Sequence, residues 1–250
     1  MILDKKFYPY VKYLFIDEFQ DTDDLQAKFI AKIDAEYNYA TGDERQFIYG
    51  FKGTSDKYIR NLAENPFVKK YYLTQNYRNG IKILRFAENF LNGIQRISPS
   101  SEPMSKEKGY IDEDHTFYEA VEELTWTEDW TEWAILCRTN KEVQAAQDYL
   151  DEMEIPNITI KKSELSFEEI KEVLHSNKVK IMTGHASKGL EFDNVIAVGA
   201  KQFNNDEKRL SYVMATRARK TLLWCPSIKR KKVKKNKKSN IERKNQMIEF

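Results

Sequence analysis

Phe15-Ile16-Asp17-Glu18-Phe19-Gln20-Asp21-Thr22 is the stretch on which the reading of this 250-residue chain turns. An apolar run ends in two adjacent carboxylates. A helical period follows at once, with Leu25, Phe29, Ile30 and Ile33 on one face and Asp21 or Thr22 placed to cap it. Strand, acidic turn and capped helix together mark an open α/β sheet, in which ligands gather outside the carboxyl ends of the strands. Two neighbouring carboxylates there can divide a task. One can hold Mg2+ through water while the other orients or deprotonates an attacking water. A solvated acidic helix start, favoured by the helix dipole, is the competing reading of Asp17 and Glu18 taken alone. It leaves Gln20 and Asp21 unexplained.

Outward from this stretch, short β-rich runs alternate with helical periods. Strands are expected over 12–17, 37–41, 68–73, 132–137, 158–161, 179–183, 194–199 and 221–224. Helical faces are formed by Ile83, Leu84, Ala87, Phe90, Leu91 and Ile94, by Val143, Ala146, Leu150 and Met153, and by Phe167, Ile170, Val173 and Leu174. Residues 98–114 read as a polar connection, and there is no internal repeat.

With 41% hydrophobic and 32% charged residues, the chain is globular with a very polar surface, and is long enough for one sizeable core or two modest ones. No run approaches the roughly 18 apolar residues that cross a bilayer, and the N-terminus lacks the ordered regions of a signal peptide. Cys137 and Cys225 close apolar runs without ligand spacing, and are expected to be buried thiols in a reducing cytoplasm. Neither His115 nor His175 has a neighbour that suggests a metal site. The net charge of +2 conceals an asymmetry: residues 229–250 hold ten Lys/Arg against two Asp/Glu, leaving the rest acidic. That segment reads as a disordered basic tail, so any nucleic-acid site in the body must be a local groove.

The blocks that follow the acidic turn resemble, in order, those of the UvrD/Rep-type superfamily 1 DNA helicases. Residues 41–54, TGDERQFIYGFKGT, resemble the third helicase motif, and 73–78, LTQNYR, the fourth. Residues 134–140, AILCRTN, resemble the strand and loop that follow. Within 179–198, TGHASKGLEF resembles the fifth motif, and 209–219, RLSYVMATRAR, the sixth. The resemblance implies RecA-like parallel sheets flanked by helices, of the P-loop NTPase type. Residues 1–75 would form an incomplete first motor domain and 76–228 a nearly complete second one. It implies ATP and Mg2+ as cofactors, single-stranded DNA as partner and 3′ to 5′ movement along it.

Roles carry over position by position. Asp17 would hold Mg2+ and Glu18 would prepare the attacking water. Gln46 would sense the γ-phosphate, which Arg78 and Arg217 would reach as arginine fingers. Tyr77 matches a ring that stacks on adenine and Glu191 a carboxylate on the ribose, with Gln20 also on the nucleotide side. Tyr49, Phe51, Lys52, Thr183 and His185 match positions that meet DNA. Phe51 stands where the family often has Trp, and Lys52 where Arg is usual, which keeps the charge and loses the bidentate fork.

Two departures qualify the resemblance. No glycine here opens or completes GxxxxGK followed by Ser or Thr, the loop whose amides cradle phosphates. The expectation is therefore weak or absent ATP hydrolysis by the chain alone, with a separate upstream polypeptide supplying the loop. A degenerate paralogue and a stand-alone binding protein remain alternatives. Second, residues 140–185 are too few for the large helical insertion of these enzymes, which leaves translocation plausible and strand separation uncertain. From other classes, a non-catalytic module binding single-stranded DNA or a helicase partner remains open, as does an adaptor binding through its basic tail.

Overall fold

The computed structural model describes residues 9–50, 54–161, 164–201 and 203–228. Phe51, Lys52 and the basic segment 229–250 lie outside the described residues.

The first elements are β1 (Tyr10–Ile16), a 3-10 turn over Phe19–Asp21, α1 (Asp24–Ile30), β2 (Asp34–Ala40), a second 3-10 turn over Glu44–Gln46, and α2 (Lys57–Glu64). β1 and β2 run parallel, in register from Tyr10 opposite Asp34 to Ile16 opposite Ala40. The cap of α1 is Asp23, later than either expected residue. Its side chain accepts from Gln26 N while the Gln26 side chain accepts from Asp23 N, a reciprocal capping box. Strand alternation sets Tyr13, Phe15, Tyr37 and Tyr39 on one face, with ring centroids 5.3 Å apart for Tyr13–Tyr37 and 5.0 Å for Phe15–Tyr39. All four rings are exposed, as are Leu25 and Phe29 of α1. Among the described residues before Ile83, the buried apolar ones are Phe19, Phe47 and Ile48, and Ile48 packs into the core of the next layer. Among the described residues the strand pair has no core of its own.

The rest is β3 (Gln75–Asn76), α3 (Ile81–Asn89), β4 (Glu102–Pro103), β5 (Tyr110–Asp112), α4 (Phe117–Glu122), β6 (Trp133–Cys137), α5 (Asn140–Glu152), β7 (Asn157–Thr159), α6 (Phe167–His175), β8 (Val179–Thr183), β9 (Phe192–Val198), α7 (Asn205–Ala215) and β10 (Ala218–Cys225). Six strands form one sheet in the order β5-β10-β9-β6-β8-β7, every neighbouring pair parallel. Helices cover both faces. Ala134, Leu136, Val195 and Ala197 point into a core shared with α3 and α7, while Ile135, Cys137, Ile196 and Val198 point into one shared with α4 and α5. Burial on both faces is why these strands read as continuous apolar runs rather than alternating ones. The layer is the α/β, RecA-like arrangement that the sequence leads one to expect.

Several expectations need correction. Residues 68–73 form no strand. Their apolar side chains find no strand partner among the described residues, Leu73 is almost fully exposed, and pairing begins only at Gln75 with Glu102. The segment 98–114 is more than a connection, since it supplies β4 and the edge strand β5, each too short to show a period. Three helices, α2, α4 and α7, escape the periodicity reading. α7 does so because it is buried nearly all round, with Arg209 and Ser211 among its buried residues. Cys137 and Cys225 are free and buried, as expected. They flank Val198 from the strands on either side, so two strand spacings, roughly 10 Å, separate them. Burial pushes the Cys225 thiol up to about 12 and that of Cys137 higher. No helix among the described residues is long and apolar enough to cross a membrane.

Ile196, fully buried in β9, should cost about 2–5 kcal/mol when replaced by alanine. Phe167→Ala, at a largely exposed position, should stay within about 0.5 kcal/mol. Urea unfolding of both variants checks this, and equal losses would mean that the sheet core is misplaced.

Candidate active site

The acidic turn sits where β1 ends. The pairing that sets Ile16 beside Ala40 also brings Thr41, the residue after β2, to Asp17. Asp17 Oδ1 accepts from Thr41 Oγ1 at 2.5 Å and from Glu18 N at 2.9 Å. These bonds, Thr41's first, hold the exposed Asp17 carboxyl below its ordinary range. Glu18 adopts φ 52, ψ 40, a left-handed conformation that a side chain other than glycine disfavours. Gln20 is fully buried. Its Nε2 donates to Glu18 Oε2 and its Oε1 accepts from Asp43 N at 3.0 Å. A Cβ on Gly42 would lie 2.6 Å from Gln20 Oε1, so a larger residue there would displace the Gln20 side chain from its bonds.

The loop that follows β2 is pinned from both sides. Gln46 Nε2 donates to Asp43 Oδ2 at 3.0 Å, and Arg45 Nε donates to Asp43 Oδ1 at 2.7 Å. The buried Glu44 carboxylate accepts from Ile97 N, Ser98 N and Ser98 Oγ, and Arg45 reaches Ser101 Oγ and Glu88. Tyr49 donates from its hydroxyl to the His185 carbonyl at 3.1 Å. The two rings are tilted at 40° rather than stacked. Burial, then the charges of Asp21 and Glu18, raise the Tyr49 pKa. Thr183 caps the turn that carries His185, its Oγ1 accepting from Ala186 N.

Two arginines stand on facing loops. Arg78 Nε lies 2.5 Å from Glu191 Oε2, with both side chains partly exposed, and Glu191 also meets Arg219 at 3.6 Å. Arg217 is 2% exposed. Its Nε donates to Val213 O, Nη1 to Leu190 O and Nη2 to Thr216 Oγ1, leaving two of the five guanidinium donors unengaged among the described residues. It makes no ion pair among the described residues. Burial, followed by the like charge of Arg78, pushes its pKa down to about 10. Tyr77 stands apart, 65% exposed, donating from its hydroxyl to Gln75 Oε1.

Some of the residues that organise the site escape sequence reasoning. Asn79, fully buried, donates from Nδ2 to Thr216 O at 2.9 Å and to Ala218 O at 2.7 Å, bracketing Arg217. Asn76 Oδ1 accepts from the amides of Arg78 and Asn79. The two asparagines therefore lock the arginine loops to each other. Lys188, on the connection from β8 to β9, is buried. Its Nζ lies 2.5 Å from Asp21 Oδ2, 3.2 Å from Glu18 Oε2 and 3.2 Å from Gln46 O. The available signal was a lysine inside a block of small residues, Gly184, Ala186 and Ser187. The acid turn and the Gln46 loop thus meet this connection at Lys188, Tyr49 meets it at His185, Arg217 at Leu190 and Arg78 at Glu191.

Among the described residues no group of three or more His, Cys, Asp or Glu could enclose a metal ion. An exposed carboxylate at Asp17 with Glu18 beside it still fits Mg2+, which takes one or two protein carboxylates and draws its other oxygens from water and phosphate.

A family model for the UvrD-like helicase C-terminal domain matches residues 71–176 and 159–227, and one for the UvrD/REP helicase N-terminal domain matches residues 3–66. A probable DNA helicase of Mycoplasma pneumoniae is 27% identical, over 85% of this chain and 43% of its own length. A putative ATP-dependent DNA helicase of Acanthamoeba polyphaga mimivirus is 26% identical, over 87% of this chain and 35% of its own length. The chain therefore spans less than half of either relative. The solved C-terminal domain of a possible DNA helicase from Lactobacillus plantarum shares 21% identity, covering 61% of this chain and 89% of its own, with a TM-score of 0.43. Because the C-terminal family pattern runs from residue 71 to residue 227 and the N-terminal one precedes it, this chain belongs to the UvrD-like helicase family.

Proposed function

We propose that the chain forms part of an ATP-driven motor of the UvrD/Rep type that moves 3′ to 5′ along single-stranded DNA. The observation that carries this reading is the convergence of an acid turn, a glutamine loop and two arginines on the β8–β9 connection. Phosphoryl transfer asks for that set, since it is catalysed by positioning and by neutralising developing charge. A purely binding module needs none of it.

In this reading Asp17 holds Mg2+, which when bound neutralises phosphate charge. Glu18 orients the attacking water and takes its proton. Gln46, Arg78 and Arg217 face the γ-phosphate, with Arg78 leaving Glu191 for the anion and Arg217 offering its unengaged donors. Glu191 then meets the ribose and Tyr77 the adenine. Gln20 acts on the nucleotide through the Glu18 carboxylate it holds. Tyr49, Phe51, Lys52, Thr183 and His185 meet DNA, and residues 229–250 add salt-sensitive phosphate contacts. Residues 1–75 belong to the first motor domain and residues 76–228 to the second. The phosphate-cradling loop, not found in these 250 residues, would be supplied by another stretch of polypeptide, and the assembly works in the cytoplasm.

DNA-stimulated ATP hydrolysis should be weak or absent for the chain alone and appear on mixing with the polypeptide that carries the loop. Glu18→Gln and Arg217→Ala should each lower it by about 100-fold or more. Silence after mixing, with both proteins folded and DNA bound, would leave the binding-module reading.

Fluorescence anisotropy with a labelled oligo-dT should show affinity falling steeply with salt. Phe51→Ala should weaken binding by about 1–3 kcal/mol, the worth of one stacked base. Unchanged affinity in that variant would assign binding to the basic tail.

A further inference from the structure

We propose that Lys188 is a positioning residue: it latches the acid turn to the β8–β9 connection, so that Glu18 is aimed from across the site rather than by its own strand. An ammonium has three protons, and Asp21 Oδ2, Glu18 Oε2 and the Gln46 carbonyl supply three acceptors at 2.5–3.2 Å. The Tyr49 ring lies 5.4 Å from Nζ and adds a fourth favourable contact. All four groups belong to residues 18–49, whereas the lysine stands far along the chain, after β8.

The connection presents this ammonium in a set position. Ser187 N donates to Thr183 O, Ser187 Oγ to Gly184 O and Leu190 N to Ser187 O, so the turn is closed on itself. A Cβ on Gly184 would lie 2.6 Å from Met214 Cγ, so the turn sits hard against α7. In the acid turn, whose backbone bonds to Thr41 and to itself, the Glu18 side chain is the part held less firmly. Glu18 is in the left-handed region with its side chain 56% exposed, and its other carboxylate contact is the Gln20 amide. The fixed ammonium therefore sets the direction of the exposed Glu18 carboxylate. Because Tyr49 also donates to the His185 carbonyl, the same contact joins the face assigned to DNA with the carboxylates. The assignment of those faces rests on the proposed function, whereas the latch itself does not.

Hydrogen exchange of the whole chain, followed by mass spectrometry without nucleotide or DNA, tests it. Lys188→Met should speed exchange by tenfold or more in residues 17–24 and also in 183–191, leaving β6 and β9 unchanged. Lys188→Arg, which keeps the charge, should restore protection to within threefold of the native chain. Asp21→Asn should loosen 183–191 from the opposite side, and should add little in combination with Lys188→Met. Unchanged exchange in either segment, or an equal acceleration of β6 and β9 with no rescue by arginine, would overturn the proposal. Should Lys188→Met fail to fold, Asp21→Asn alone decides, since protection of 183–191 in that variant would equally overturn it. A chain that neither hydrolyses ATP nor binds DNA would fail the proposed function and leave this result standing.

Discussion

Between Thr183 and Phe192 the chain must travel from the end of β8 to the start of β9, two parallel strands with β6 between them. Parallel connections usually take about a dozen residues or more, often as a helix. Residues 184–191 are fewer, so the route lies tight against the sheet and α7. That constraint accounts for Gly184, where an added Cβ would run into Met214 and Leu210. It also sets where His185, Lys188, Leu190 and Glu191 stand, and each of these meets a partner from another part of the chain. The site is the outcome of a short crossover with polar side chains at the few points that face outward.

The two parts of the molecule are stabilised by different means. The six-stranded layer has apolar cores on both faces and would carry most of the hydrophobic stabilisation. The β1–β2 pair has almost none among the described residues, and leans on polar contacts: Lys188 with Asp21, Arg209 with Asp56, Arg45 with Glu88, and the Glu44 carboxylate with the 97–98 amides. Ion pairs at such depth add little net stability, because desolvation offsets their attraction. Losing one partner nevertheless costs about 3–5 kcal/mol, so they select one arrangement strongly.

Arg217 shows how such an arrangement stores electrostatic potential. Its guanidinium is buried, bonded to two backbone carbonyls and a hydroxyl, and repelled by Arg78, yet a pKa near 10 leaves it charged at neutral pH. Asn79 keeps the two like charges in place through its bonds to the carbonyls on either side of Arg217. Burying a cation without a direct ion pair among the described residues is costly for a fold.

The sequence by itself determined the fold class and the order of the family's blocks, and it singled out residues such as Glu18, Gln46, Arg78 and Arg217 as candidates for the chemistry. Those signals are local: a strand of Val, Ile and Leu ending at Asp17-Glu18, or an apolar run ending at Thr183, needs no distant partner to be read. It missed α7, which has no polar face to give a period, and β5, which is too short for one. It misread 68–73 as a strand, because β propensity reports that a segment can pair and says nothing about whether a partner lies beside it. Only the tertiary structure decided that Gln20 turns inward to bridge Glu18 and Asp43, that Asn79 clasps both sides of Arg217, and that Lys188 reaches Asp21. Each of these is a contact between residues far apart in the chain or buried against its grain. Its existence depends on which strands lie side by side and how short the path between them is, and no window of sequence contains that information.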